Sequence, residues 1–472
     1  MVSYGNGLLV LFLALVSPVC YSEKLTENSD ELPSVTASGK STHEESATCN
    51  ADPKGKRWAV LIAGSREYSN YRHQADICHA YQLLRKGGLK EENIIVFMYD
   101  DIAYNPENPK KGIIINRPGG EDVYHGVPKD YTGKNATLHN LFTVLLNNKT
   151  GIRGGSGKAL ASGPNDHVFI YYTDHGAPGL VSFIDENLYA KDLIKVLKQM
   201  HQAKAYKSLV FYLEACESGS MFEGLLPSNI NIYAMTASNK DESSYATYCP
   251  GEHPGPPAKY DTCLGDLFSV AWMEDCDLND SSKETLQRQY EVAKKRTASN
   301  GDMSSHVMQY GNKKFCDESL CVYLGPKSAE SYKSASSSPS NSLTQRDASL
   351  RHFIHKVNKA PEGSQEKVEA QKKLQEVLAH RQHVDSSINH IVTTIHGTEQ
   401  VSEIMNSVRP SGLPLVDDWD CLKNFVTTYE KHCGPLSWYG KKYTRVMANM
   451  CNAGVKVEQM AVASTQACSS TA

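Results

Sequence analysis

Residues 208–220, SLVFYLEACESGS, are the stretch from which the fold of this chain can be worked out. Residues 208–213 are mostly apolar, β-branched or aromatic and stand between polar neighbours, which is typical of a buried strand in a layered α/β sheet. The strand ends near Glu214, and Cys216 follows at the carboxyl edge, where open α/β sheets bind their ligands. A lone Cys after a strand is in general a small core residue, but the carboxylate two positions before it favours a reactive thiol here.

A second strand, residues 166–173, also ends with a reactive side chain at its tip, because DHVFIYYT runs into Asp174, His175 and Gly176. Two strand ends in one sheet would bring Cys216 and His175 together. A cysteine nucleophile needs such a base, since a thiol is mostly protonated at or below neutral pH. The main-chain N–H groups of Gly176 and Cys216 are then candidates for an oxyanion hole. The two strand ends therefore predict nucleophilic catalysis by a Cys–His pair.

The composition indicates a secretory chain with a large core. The chain has 472 residues, a net charge of −4 and 40% hydrophobic residues, which suggests two domains, or three with processed segments. The near-neutral charge and the lack of a basic stripe argue against binding nucleic acid. Residues 8–16, LLVLFLALV, are too short for a membrane span and predict a signal peptide at 1–22, although no Lys or Arg precedes them. No later stretch is expected to cross a membrane, so we expect a soluble mature protein.

Sequons and cysteines agree with a secretory route. Glycosylation is predicted at three sequons: Asn135, Asn148 and Asn279. The chain has 13 cysteines, and an oxidising compartment makes most of them disulfide candidates, whereas Cys216 must stay a thiol. Cys249 and Cys263 enclose a Pro-rich loop and predict a local disulfide.

Alternating strand and helix patterns predict an α/β fold with a mostly parallel sheet covered on both faces. The predicted strands are 58–63, 93–99, 166–173, 208–213, 230–236 and 320–324, and the predicted helices are 71–86, 138–146, 190–200, 264–274 and 284–295. The domain boundaries we predict are a signal peptide at 1–22, a polar propeptide at 23–56, a catalytic domain at 57–325, a Ser/Pro-rich linker at 326–348 and a helical domain at 349–472. Four cysteines of the helical domain allow three pairings.

Four motifs together resemble plant legumains, also called asparaginyl endopeptidases or vacuolar processing enzymes. They are YRHQAD at 71–76, YYTDHG at 171–176, LEACESGSMFEGLLP at 213–227 and TASNKDESSYATYCPGE at 236–252. The resemblance implies a caspase-like α/β/α sandwich with a mostly parallel six-stranded sheet, followed by a death-domain-like helical prodomain that covers the active site of the zymogen. It also implies the disulfides Cys421–Cys451 and Cys433–Cys468. Cys316 and Cys321 depart from the family pattern, and a bridge between them stays open.

The resemblance assigns catalytic roles by motif. Cys216 is the expected nucleophile, His175 the base and Asn70 the third member, although a residue at the position of Asn70 can equally be a helix N-cap. Asp174 resembles a family position that cyclises to a succinimide, and its alternative interpretation is a solvated loop carboxylate.

The expected substrate pocket combines charges of both signs. Its residues by resemblance are Arg72, His73, Glu214, Ser243, Ser244 and Asp266. Arg72 can donate to the carbonyl oxygen of an Asn side chain, while Glu214 and Asp266 accept from its NH2 group. Such a pocket rejects side chains that leave its polar groups unpaired, and it should accept Asp mainly at acidic pH. Without the resemblance, Arg72 and Asp266 would be interpreted as a structural ion pair.

The resemblance leaves the balance of hydrolysis and ligation open. Family members that ligate or cyclise tend to replace a gatekeeper Gly and to carry Ala after the catalytic His; the corresponding positions here are Tyr245, Ala246, Ala177 and Pro178. The alternative is a strict hydrolase in which these alanines are neutral. Expected self-processing sites in or near the linker are Asn341, Asp347 and Asn358. The expected partners are peptides and proteins with exposed Asn or Asp and the chain's own prodomain, the expected location is an acidic vacuole, and a zymogen dimer is possible.

Three other functional classes fit the sequence less well. Caspase and metacaspase pockets select a formal charge, whereas Arg72, Glu214 and Asp266 carry both signs. A non-catalytic storage or binding glycoprotein would not need both Cys216 and His175. A metal-dependent hydrolase is disfavoured because no paired Cys/His spacing of the zinc kind occurs, so we expect no metal and no cofactor.

Overall fold

The computed structural model describes residues 55–298, 304–326 and 342–469 of the chain. The predicted signal peptide, all but the last two residues of the predicted propeptide, and Asn341 lie outside these residues. The described residues belong to one compact unit. Within them, no helix combines the length and the apolar character needed to cross a bilayer.

Strands and helices alternate between residues 57 and 324. In chain order they are β1 (Arg57–Ala63), α1 (Tyr71–Lys86), β2 (Ile94–Phe97), α2 (Leu138–Leu145), β3 (His167–Thr173), β4 (Gly176–Ala177), β5 (Leu180–Phe183), β6 (Glu186–Tyr189), α3 (Ala190–Gln202), β7 (Ser208–Glu214), β8 (Ile232–Thr236), β9 (Tyr245–Thr247), β10 (Gly265–Asp266), α4 (Leu267–Leu278), α5 (Leu286–Ala298), β11 (Met308–Gly311) and α6 (Cys321–Leu324).

The remaining described part is helical apart from one short strand. Its elements are β12 (Leu343–Thr344), α7 (Ala348–Lys359), α8 (Gln365–His396), α9 (Val401–Asn406), α10 (Trp419–Cys433), α11 (Ser437–Gly440), α12 (Thr444–Asn452) and α13 (Val457–Cys468).

One six-stranded sheet has the order β11-β8-β7-β3-β1-β2. All its neighbouring strands are parallel except β11, which pairs antiparallel with β8. Every residue of β3 and β7 is buried, as expected for central parallel strands. The prediction of a mostly parallel six-stranded sheet is confirmed.

Helices cover both faces of this sheet. Along β3, Ile170 and Tyr172 belong to the core that includes residues of α2 and α3. Phe169 and Tyr171 point the other way and make edge contacts with Trp272 of α4, at 5.9 and 5.1 Å between ring centroids. The alternation follows from the two-residue period of a strand, and it confirms the α/β/α arrangement.

The strand predicted at 320–324 is wrong. This segment contains the short helix Cys321–Leu324, and the sixth strand is Met308–Gly311 instead. A short apolar run is compatible with either a strand or a buried helical turn, so periodicity alone could not decide between them. The true edge strand, MQYG, is only half-buried and lacks the apolar signal of an inner strand.

Disulfides join the C-terminal helices. Cys421–Cys451 connects α10 with α12, and Cys433–Cys468 connects α10 with α13. These are the pairings that the resemblance implied. Because α10 takes part in both, the packing of α12 and α13 against it is fixed covalently.

Two further cysteine predictions have different outcomes. The disulfide Cys249–Cys263 is formed and closes the Pro-rich loop that follows β9. Cys321 takes part in a disulfide, whereas Cys316 holds a buried thiol. A bridge between these two residues, which the sequence left open, is therefore wrong.

Candidate active site

The register of β3 and β7 brings the two predicted reactive residues to one sheet edge. Thr173 lies opposite Glu214 in this parallel pair, so that His175 and Cys216 each follow two residues beyond the paired positions. A Cβ atom on Gly176 would lie 2.0 Å from the main-chain oxygen of Cys216. Only glycine allows this approach, and the two strand ends are in contact here.

Asn70 orients the imidazole of His175. The Nε2 atom of His175 lies 2.8 Å from Oδ1 of Asn70, while Nδ2 of Asn70 donates to the carbonyl of Arg66 at 2.8 Å. The amide oxygen therefore faces the ring, which makes Nε2 the donor and leaves Nδ1 to accept a proton. Asn70 does lie at the N-cap position of α1, but its side chain caps no helical N–H, so the capping interpretation of this side chain is wrong.

Burial keeps the thiol and the imidazole neutral in this state. Desolvation, followed by the charges of Arg72 and Lys441, lowers the pKa of His175 well below its usual value. Desolvation also raises the pKa of the Cys216 thiol. The ring of Trp438, from α11, is stacked on His175 with centroids 4.7 Å apart and an angle of 19°. The C-terminal helices thus cover the pair and withhold the water that would stabilise its charged form.

A polar slot beside Cys216 holds a side-chain carboxamide of the chain itself. Gln345 lies between β12 and α7, and its Nε2 group donates to Oε1 of Glu214 at 2.8 Å. The other oxygen of Glu214, Oε2, accepts from the main-chain N–H and the hydroxyl of Ser269, at 3.0 and 2.9 Å. Glu214 is therefore held so that one oxygen is directed at an amide donor.

The opposite wall of the slot carries donors. Arg72 donates from Nε to Oδ1 of Asp266 at 2.9 Å, and both side chains are fully buried. The Nη2 atom of Arg72 has no hydrogen-bond partner among the described residues, whereas Nη1 donates to the carbonyl of Ser69 at 3.3 Å. Nδ1 of His73 lies 2.6 Å from the hydroxyl of Ser65, and His73 also interacts with Gln345. The ion pair that a structural interpretation predicts is present, and it forms one wall of the slot.

Both predicted pocket serines lie where β9 approaches Cys216. The carbonyl of Ser244 accepts from the main-chain N–H of Gln345 at 3.0 Å, and the same carbonyl lies 3.8 Å from Sγ of Cys216. The hydroxyl of Ser243 is close enough to Cys216 to favour its thiolate, although burial outweighs it.

The segment before Gln345 binds as an added strand. β12 pairs antiparallel with β9, with Leu343 opposite Ala246 and Thr344 opposite Tyr245. This is the main-chain mode by which an extended peptide is recognised at a sheet edge. After Gln345, the chain turns into a helical segment, and Arg346 forms an ion pair with Glu217 at 2.7 Å.

The roles of Gln345 and Trp438 were not predicted from the sequence. Neither residue belongs to a motif that singles it out, since a Gln after a Ser/Pro-rich linker and a Trp in a helical domain are both common. The position of a linker immediately before the prodomain is the only signal that could have directed attention to Gln345.

Asp174 is completely buried, so its interpretation as a solvated loop carboxylate is wrong. Its Oδ1 accepts a hydrogen bond from the following main-chain N–H, that of His175, at 2.6 Å. Burial raises its pKa well above the usual range. The side-chain carboxyl is thus next to the main-chain nitrogen that a succinimide would require, and this role remains a proposal.

The residues expected to influence ligation flank the site on two sides. Ala246 is buried in β9 opposite Leu343, with Tyr245 beside it. Ala177 is buried in β4, and the carbonyl of Pro178 accepts from the hydroxyl of Thr444 at 2.7 Å.

The predicted modification and processing residues differ in exposure and in their partners. Asn148 is exposed, while Asn135 and Asn279 are half-buried. Oδ1 of Asp347 is bound to Arg381 at 2.6 Å, and Asn358 is exposed within α7. Asp347 is the last residue of the 3-10 helix that begins at Gln345.

Two family models match the chain: the Peptidase C13 family over residues 57–326 and the legumain prodomain over residues 372–468. A vacuolar-processing enzyme of Citrus sinensis is 59% identical over 423 residues, which cover 88% of this chain and 86% of that protein. The delta-isozyme of the vacuolar-processing enzyme of Arabidopsis thaliana is 53% identical over 88% of this chain and 91% of that protein. A crystal structure of caspase-1 from Spodoptera frugiperda covers 59% of this chain and 93% of its own with a TM-score of 0.32 and 10% identity, a likeness too low to carry an argument.

Proposed function

Since the chain belongs to the peptidase C13 family, we propose that it cleaves peptide bonds after asparagine through a thioester on Cys216. It is a legumain-type cysteine peptidase with an inhibitory C-terminal prodomain that acts on protein substrates. Its relatives are vacuolar-processing enzymes, which supports a route through the secretory pathway. We propose the acidic vacuole as its place of action.

The carboxamide of Gln345 in the slot supports asparagine specificity. Glu214 accepts its NH2 group. The carboxamide oxygen of Gln345 has no hydrogen-bond partner among the described residues, and neither has Nη2 of Arg72, so this buried donor remains available to a substrate carbonyl oxygen. A free acid, an amine or an apolar side chain would leave at least one of these buried groups unpaired. Asn carries the same carboxamide as Gln on a side chain one methylene shorter, and it would be read by the same contacts.

The proposed reaction uses the groups at the two strand ends. Nδ1 of His175 takes the proton of Cys216, and the thiolate attacks the main-chain carbonyl carbon of the substrate asparagine. The N–H groups of Gly176 and Cys216 donate to the oxyanion, for which one donor typically contributes about 3 kcal/mol. His175 then protonates the leaving amine, and the remaining acyl group is a thioester on Cys216.

At acidic pH, we expect the proposed specificity to include aspartate. Burial, with the charge of Asp266, raises the pKa of Glu214 to about 8, and burial raises the pKa of Asp266 to about 6. As the pH falls, both groups take up protons, so the slot opposes a substrate carboxylate less and the substrate Asp itself becomes neutral.

The specificity is tested on acid-activated protein with four peptides that differ only in the residue before the cleaved bond: Asn, Asp, Gln or Ala. We expect cleavage after Asn at all pH values, after Asp at acidic pH, and after neither of the other two. Cys216→Ser should abolish cleavage, whereas Cys78→Ser, which removes another buried thiol, should not. Comparable rates for Ala and Asn, or an active Cys216→Ser variant, would refute the proposal.

We propose ligation as a second outcome of the same thioester. The supporting observation is that Ala246, in β9 beside the linker strand, and Ala177, directly after Gly176, are both fully buried. Ala246 pairs with Leu343 in the strand that precedes the slot, and Ala177 precedes Pro178, whose carbonyl accepts from the hydroxyl of Thr444. We assign the side of Ala177 to the leaving group. Added methyl groups restrict the space in which water can approach the thioester, while a peptide amine bound on that side keeps its position.

A peptide ending in Asn-Gly-Leu distinguishes ligation from hydrolysis. Mass spectrometry of the products should show cyclic or ligated peptide at near-neutral pH and more free acid at acidic pH. Ala246→Gly and Ala177→Gly should each shift the ratio towards free acid. Free acid as the only product of the unmodified chain at every pH would leave the strict hydrolase as the function.

A further inference from the structure

Asp76, the last residue of the YRHQAD motif, has no role in the reaction described above. It lies on α1 one turn after Arg72 and is completely buried. Its carboxyl group interacts with the carboxyl group of Asp266, on β10. Two carboxyl groups in contact inside a protein need a proton between them, because two buried charges of one sign repel strongly.

Asn116 determines which partner can supply or receive that proton. Its Nδ2 group donates to Oδ1 of Asp76 at 2.7 Å and to the carbonyl of Leu264 at 3.0 Å. The Leu264 carbonyl can only accept, so the amide must present its N–H groups on this side. Its oxygen faces Nδ1 of His79 at 2.9 Å on the other side. Asn116 therefore cannot accept a proton from Asp76, so a proton on Asp76 has to be donated from Oδ2, which also lies 3.4 Å from the hydroxyl of Thr173.

Asp266 has an oxygen without a donor. Its Oδ1 is occupied by Arg72, but Oδ2 accepts no hydrogen bond from a non-acidic group in the described part of the chain, and Nε2 of His73 is 3.5 Å away. A protonated Asp76 would supply the missing donor. The carboxyl of Asp266 would then be held at both oxygens, by Arg72 in front and by Asp76 behind.

The charges around Asp76 agree with a neutral carboxyl. The groups that face it or its partners are Arg72, His73 and Cys78 on α1, Tyr171 on β3, Glu214 on β7, Asp266 on β10, and, beyond Asn116, His79 and Asp277. Arg72 is the cation closest to these acids and is already paired with Asp266. Burial and then the charge of Asp266 raise the pKa of Asp76 well above its usual range.

We propose that Asp76 is a positioning residue: it carries a proton, donates it in a hydrogen bond to Oδ2 of Asp266, and so holds that carboxylate on Arg72. Asp76 does not touch the substrate. It acts through Asp266 and Arg72, which leaves the NH2 group of Arg72 directed at the substrate carboxamide. The inference rests on the proposed function, since that slot is assigned there to the asparagine side chain.

Two variants test whether the side chain of Asp76 is a protonated hydrogen-bond donor or a buried anion. Asp76→Asn keeps a donor of nearly the same shape, because its amide oxygen can face Asn116 and its NH2 group Asp266. Asp76→Ala removes the donor. We expect kcat/KM after Asn to stay within about threefold of the unmodified enzyme for Asp76→Asn and to fall roughly 10- to 100-fold for Asp76→Ala, mainly through KM.

Equal losses in two folded variants, or no loss in either, would overturn the inference. Thermal unfolding of both variants shows whether they fold. If Asp76→Ala does not fold, a spectroscopic measurement on Asp76→Asn decides.

That measurement is difference infrared spectroscopy of the zymogen, carried in a Cys216→Ala background so that it is not processed. Subtracting the spectrum of Asp76→Asn from that of the parent at neutral pH should reveal the C=O band of one protonated carboxyl group. Asp317→Asn, at an exposed acid, should remove only a carboxylate band. A carboxylate band in place of the protonated one for Asp76 would overturn the inference. This readout does not use activity, so it stands even if cleavage after Asn is not found.

Discussion

The linker and the prodomain block the two sides of the catalytic pair in different ways. On one side, β12 pairs with β9 and Gln345 places a carboxamide against Glu214, so under the proposed function the linker imitates a substrate. On the other side, Trp438 is stacked on His175 without occupying a polar slot. Imitation depends on the specificity of the enzyme, whereas stacking depends only on apolar and aromatic contact.

The difference explains how an inhibitor that resembles a substrate escapes cleavage. Gln345 is one methylene longer than Asn, and the chain turns into a 3-10 helix at Gln345–Asp347 directly afterwards. An extended substrate would continue past Cys216, but here Arg346 is held by Glu217 and draws the following peptide into the helical turn. The linker therefore has the recognition element of a substrate without the geometry of a scissile bond.

Glu214→Gln should have the largest effect, because it breaks the slot that substrate and linker share. Whichever way the new amide is turned, its NH2 group meets either the carboxamide NH2 or the main-chain N–H of Ser269. We expect kcat/KM after Asn to fall by roughly 100-fold or more. The exposed Glu291→Gln is the matched control and should change nothing. An unchanged kcat/KM in folded Glu214→Gln would show that this carboxyl group does not read the substrate.

Gln345→Ala should open the substrate-like side alone. It removes a hydrogen bond to a buried carboxyl group, worth about 1.5–3 kcal/mol, and Cys216 should react with iodoacetamide roughly 10- to 100-fold faster in the intact zymogen at neutral pH. Mass spectrometry of the Cys216 peptide measures the rate. Gln365→Ala, at an exposed glutamine in α8, serves as the control. Equal rates in both variants would mean that the carboxamide does not hold the linker.

Trp438→Ala should open the stacked side with a smaller effect. An aromatic pair contributes about 1 kcal/mol beyond its buried area, so alkylation of Cys216 should speed up only about three- to tenfold. Val462→Ala, at an exposed apolar residue of α13, is the control. A gain larger than that of Gln345→Ala would reverse the comparison and make the prodomain cover the main barrier.

The pH dependence of stability tests the protonation of Glu214 in the intact zymogen. Burial raises the pKa of Glu214 from 4.5 to about 8, so the folded chain binds this proton more tightly than the unfolded chain does. The resulting stability is complete below pH 4.5 and is lost as the pH rises towards about 8. In a Cys216→Ala zymogen, Glu214→Gln should therefore flatten the fall of the unfolding temperature over that range. An equally steep fall in both proteins would contradict the raised pKa.

Much of the sheet was predictable because its inner strands are apolar on both faces. The run at 208–213 and the strand before His175 carry that signal, and helix 71–86 was predicted with the bounds that the structure has. The outer strand Met308–Gly311 was not predictable, since one of its sides is unpaired and its residues are only half-buried. The apolar run at 320–324 produced the opposite error, because burial alone does not distinguish a strand from a helical turn.

The residues of the candidate site were predictable only where a motif carried them. Asn70 was open between two interpretations, and the contact with His175 decided between them. Gln345 gave no signal at all, because its place in the slot depends on the register of β12 against β9. Asp76 stood inside a quoted motif without a role until its contact with Asp266 became visible.

The sequence by itself determined the type of fold, the family and the two strand ends that carry Cys216 and His175, because those features depend on local residue pattern and on motifs read in order. Only the tertiary structure decided which side chain fills the slot, which oxygen of Asp266 lacks a donor and what covers His175. These are contacts between residues about 130 to 260 positions apart, and their geometry is set by strand register and helix packing rather than by any neighbour in the chain.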